Sequence, residues 1–99
     1  MTAKRIDELT KRAHDLGFRQ GYEIANRTQI DANIPKEAFV DRVLEAVLNS
    51  LERTVFKSIS FELDLMNEKF PAFDSWKVFA GGVIQGAGEN FLDRTGQTE

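Results

Sequence analysis

Apolar residues recur at three- and four-residue intervals along most of this chain. From Thr2 to about Thr28, Ile6, Leu9, Ala13, Leu16 and Ile24 fall on one side of a helix. Gly17 followed by Phe18 could end that helix, with the glycine left-handed and the ring folded back on the last turn. The charges Glu8, Arg12, Asp15, Arg19, Glu23 and Arg27 nevertheless alternate in sign at helical spacing straight through the glycine, which predicts one continuous helix. Thr28 to Ile34 is aperiodic and contains Asn33, so it reads as a loop, and Pro35 suits the first turn of the next helix. There Val40, Leu44, Val47 and Leu51 form an apolar seam widened by Phe39, Val43 and Leu48.

After Val55 the seam changes side. Phe56, Ile59, Leu63, Met66 and Phe70 make a second stripe offset from the first by one residue, or about 100° of helix rotation. Either the helix breaks near Lys57 to Ser60, with Ser58 or Ser60 capping a new one, or it continues and its halves face different partners. Ser58 to Leu65 also alternates polar and apolar like a strand, although no other segment offers it a partner. Phe70-Pro71 stops this element. Asp74 then caps the last helix, with Phe73 and Val78 spaced as a hydrophobic staple, and Trp76, Phe79, Ala80, Val83, Ala87 and Phe91 line one face. Residues 94–99 read as a disordered tail, leaving a single helical domain over 1–93. The predicted fold is all-α: three or four antiparallel helices in a small bundle.

The composition narrows the setting. With 99 residues and 41% hydrophobic, the chain supports one modest core. A core that small predicts a homo-oligomer, most simply a homodimer, to cover more apolar surface. Cysteine is absent, which removes disulfides, thiol nucleophiles and cysteine-bound zinc, and predicts a cytoplasmic address. No apolar run follows the basic residues at the N-terminus, and the longest one, Val78 to Ile84, falls far short of the ~20 residues of a membrane span. A net charge of −3 gives no global attraction to phosphate or anionic lipid.

Five features bear on chemistry. His14, the single histidine, has no second histidine or cysteine to join it as a metal ligand, and reads as a surface side chain. Asp41, Glu45 and Glu52 share a narrow helix face and predict an acidic docking strip, with Arg42 beside them arguing against a metal or acid–base site. Lys4, Arg5, Lys11, Arg12, Arg19 and Arg27 are interleaved with Glu8, Asp15 and Glu23, so the basic helix largely neutralises itself. Gly81, Gly82, Gly86 and Gly88 match neither a phosphate loop nor a dinucleotide fingerprint. Within a helix they cost several kcal/mol at ~1 kcal/mol each, which close packing would offset. Gly82 and Gly86 are one turn apart, and Gly17, Gly21 and Ala25 make a matching small stripe on the first helix; a glycine-rich loop is the alternative. Phe18 and Tyr22, with Arg19 between them, lie off the core stripe and have the composition of a partner anchor, unless the fold wraps that helix on both sides.

The reading is a non-catalytic protein-interaction module without a cofactor, a small regulatory, accessory or inhibitor protein acting by docking on another macromolecule. The alternatives are a nucleic-acid-associated regulator, or a small-ligand binder with its site between subunits near the glycines.

Overall fold

The computed structural model describes residues 2–31, 33–51, 53 and 57–96. These form helices α1 (Thr2–Arg27), α2 (Lys36–Ser50), α3 (Lys57–Lys69) and α4 (Ser75–Thr95). The segment around 81–88 is helical, and 57–69 is helix rather than strand. No helix among the described residues is long and apolar enough to cross a membrane.

Four small residues one turn apart, Ala13, Gly17, Gly21 and Ala25, are all buried along α1 and lie against α4. A Cβ on Gly17 would fall on the carbonyl of Phe79, and one on Gly21 on the carbonyl of Val83. From the other side, a Cβ on Gly82 would meet the carbonyl of His14, and one on Gly86 the carbonyl of Phe18. The two backbones therefore touch, and the glycines that weaken each helix alone are what permits the contact. This crossing lies within one chain.

Residue numbers rise together along the crossing, from His14 opposite Gly82 to Asn26 opposite Asn90. Helices α1 and α4 thus run parallel, which corrects the expectation of a fully antiparallel bundle. With α2 and α3 both inserted between them, the chain comes back to the start of α1 before α4 begins.

The shift of seam between α2 and α3 is a break in the helix. α2 ends at Ser50 and α3 begins at Lys57, so Val43, Val47, Leu51, Leu63 and Met66 all enter a single core with Phe39, Phe79, Val83 and Phe91. Phe39 in the first turn of α2 packs on Phe91 of α4, ring centres 5.4 Å apart. Asn33 takes φ 72° in the loop before α2, a left-handed conformation that asparagine tolerates well.

At the start of α4 the Asp74 side chain accepts from the Lys77 N–H at 3.0 Å, and Phe73 and Val78 join the core. Ser75 beside it is fully buried: its N–H donates to Asn67 Oδ1 and its Oγ to the Leu63 carbonyl, which locks α3 to α4. At the far end α4 continues through Thr95 and stops at Gly96, whose φ is 71° and whose N–H bonds the Leu92 carbonyl. Arg94 donates to the carbonyls of Ala25 and Thr28 at 2.7 and 2.9 Å. The expected tail from residue 94 therefore starts too early, because Arg94 satisfies the last carbonyls of α1; residues 97–99 lie outside the described ones.

Candidate functional site

Some of the sequence-derived candidates lie on neighbouring flanks of α4. Phe18 and Tyr22 stand on the flank of α1 beside the glycine crossing, half-buried and stacked with ring centres 6.2 Å apart. Neither belongs to the main core. The Tyr22 hydroxyl donates to the Asp93 carboxylate at 2.8 Å, and two turns earlier His14 Nε2 donates to Gln85 Oε1 at 2.8 Å. The hydrogen bond to Asp93 raises the Tyr22 pKa above its ordinary value of 10.0, helped by partial desolvation and by the nearby Asp93 and Glu89 carboxylates. Arg19, between the two aromatics in sequence, is exposed.

On the other side of the same flank of α4 runs an open groove of about 450 Å³ between α4 and the start of α2. Val40, Ile84, Gly88 and Leu92 make its apolar wall, and Glu37, Asp41 and Glu89 stand along it. Ile84 is 46% exposed although it sits mid-helix, so the apolar surface is open to a partner. The stem of Lys36 covers Gly88, its Cε 3.3 Å from where a Cβ would lie. Gln85 and Glu89 belong to both features: Gln85 bonds His14 and lines the groove, while Glu89 lines the groove and acts on Tyr22.

Helical spacing explains this gathering. Gln85, Glu89 and Asp93 are successive four-residue steps on the flank of α4 towards α1, and Ile84, Gly88 and Leu92 are the next row round. Comparison with family models, curated proteins and solved structures gives no match.

Of the predicted acidic strip, Asp41 lines the groove, Glu45 is exposed one turn further along α2, and Glu52 lies outside the described residues. Gly82 and Gly86 lie in the helix crossing, buried under α1. The sequence reading missed Glu37, Ile84, Glu89 and Leu92. A signal was available in the row Ile84, Gly88, Leu92 at four-residue spacing, which follows none of the positions assigned to the core and of which Ile84 is exposed. Among the described residues no three His, Asp or Glu side chains are placed to hold a metal ion. Arg12, one of the basic residues of α1, makes two hydrogen bonds to Glu62 of α3, at 2.8 and 3.2 Å.

Proposed function

We propose that this chain is a non-catalytic interaction module, a small regulatory or accessory protein that docks a cationic, amphipathic segment of another protein in the groove between α2 and α4. The observation that carries this reading is the pairing of Ile84, exposed at mid-helix on an apolar wall it shares with buried Val40 and partly buried Leu92, with three carboxylates, Glu37, Asp41 and Glu89, that outnumber Lys36 along the groove. An apolar floor supplies the contact area and the acidic rim selects for positive charge and repels phosphate. Phe18 and Tyr22 border the same face across Gln85 and Glu89, which would let a longer partner reach both. The groove's volume, about 450 Å³, also lies in the range of small-molecule sites, so a small cationic ligand is the second reading.

The test is an amide chemical-shift titration with a model helix carrying leucine on one face and lysine and arginine on the other. The reading predicts saturable shifts at Val40, Asp41, Ile84, Gly88 and Leu92. Asp41→Lys with Glu89→Lys should weaken binding at least about tenfold in a variant that keeps its helical spectrum. Shifts centred elsewhere, or affinity indifferent to the charge reversal, would refute it.

A further inference from the structure

Helix α3 turns Leu63 and Met66 inward, and on its outer face carries Phe61, 69% exposed, and Leu65, 36% exposed, one turn apart. Phe61 is the most exposed large hydrophobic side chain among the described residues. An aromatic ring left that open forgoes most of the burial that makes such rings useful. No residue of α3 lines the α2–α4 groove, so this is a separate surface.

The charges around the pair set what can cover it. Lys57 lies one turn before Phe61 and Glu68 one turn after Leu65, both exposed and on the same side of the Phe61–Leu65 ridge, while Glu62, Lys69 and Arg5 of α1 stand beside Leu65 on its other side. Each is at the unfavourable end of its own helix: a cation in the first turn of α3 and an anion in the last, against the helix dipole. A second α3 laid antiparallel across the first inverts both relations. Lys57 of each copy then meets Glu68 of the other and the negative end of the other helix, while each Phe61 packs on the opposing Leu65. A parallel arrangement would set lysine against lysine and glutamate against glutamate. The molecule is also extended, with a radius of gyration of 14.4 Å against about 13 Å for a compact chain of this size.

We propose that this face is the contact with a second copy of the chain: an antiparallel α3–α3′ pair about a two-fold axis, closed by Phe61–Leu65 and bracketed by Lys57–Glu68. A ridge of one short helix per copy is small for a permanent interface, so the dimer is a weak, concentration-dependent one.

Sedimentation equilibrium over a concentration series tests it, with circular dichroism confirming that each variant is folded. The mass should climb from 11.2 kDa towards twice that value as concentration rises. Phe61→Glu should hold the protein at the monomer mass. Lys57→Glu alone and Glu68→Lys alone should each weaken the dimer by about tenfold, and the double exchange should restore it, because across an antiparallel two-fold the swapped charges meet again. A monomer up to ~1 mM, a dimer indifferent to Phe61→Glu, or a double exchange no better than the single ones would each overturn the proposal.

Discussion

At the residue scale, the glycines of α4 have opposite roles although they stand in one helix. Gly82 faces the α1 backbone, with the Phe18 nitrogen 2.8 Å from a notional Cβ; Gly81 has nothing within 4 Å of that position. Gly81→Ala should therefore raise stability by about 0.5–1 kcal/mol, the gain in helix propensity. Gly82→Ala makes the same gain but drives a methyl group into a backbone that cannot rotate away, and should lower stability by a net ~1–3 kcal/mol. Thermal or urea unfolding of the two variants side by side reads the difference. If both stabilise the protein, the helices do not touch there. Gly88→Ala should be nearly neutral, since the flexible Lys36 stem can move.

Tyr22 offers a second residue-scale test because it is the only tyrosine in the chain. Its near-ultraviolet titration should fall above the ordinary value of 10.0, and Asp93→Asn should bring it back down. The sign for stability follows from the raised native pKa: the hydroxyl's contribution is fully present below the ordinary tyrosine pKa and disappears as pH rises through the native one. Tyr22→Phe should accordingly flatten the stability–pH curve on the alkaline side. An unshifted titration would mean that the bond to Asp93 does not persist in solution.

At the scale of elements, the ends of helices decide more than their middles. Asp74 caps α4 in a stretch where the chain turns sharply, and Asp74→Ala should cost about 1 kcal/mol, seen as a lower unfolding midpoint with an unchanged m-value. That cap and its Phe73–Val78 staple were readable from local spacing, as was the passage of α1 through Gly17, because caps and alternating charges act over a turn or two. The break between α2 and α3 was visible only as a change of side. Its interpretation needed the third dimension, since one helix with two faces and two helices with one core have the same periodicity. Ser75 was unreadable for a similar reason: a serine in a first turn is ordinary, and its burial depends on Leu63 and Asn67 presenting their acceptors from α3.

At the scale of the whole molecule, the parallel run of α1 and α4 sets which surfaces are left open. Once their backbones touch along the glycines, α4 presents one flank to Phe18 and Tyr22 and the next row to the groove beside α2. Phe18 and Tyr22 could be singled out from sequence as residues off the core stripe and Asp41 as part of an acidic strip, but their placement beside neighbouring flanks of α4 could not, because it depends on a crossing between segments some 65 residues apart. The groove itself is the centre of the functional reading, and the most direct measurement is photo-crosslinking in the native host, with a photoreactive amino acid at Ile84 and, as a control, at exposed Glu8. Docking in the groove predicts a discrete adduct from position 84 only, mapped to a lysine- and arginine-rich amphipathic segment of another protein, and lost when Asp41→Lys and Glu89→Lys are introduced. Equal adducts from both positions, or a crosslinked segment without positive charge, would contradict it.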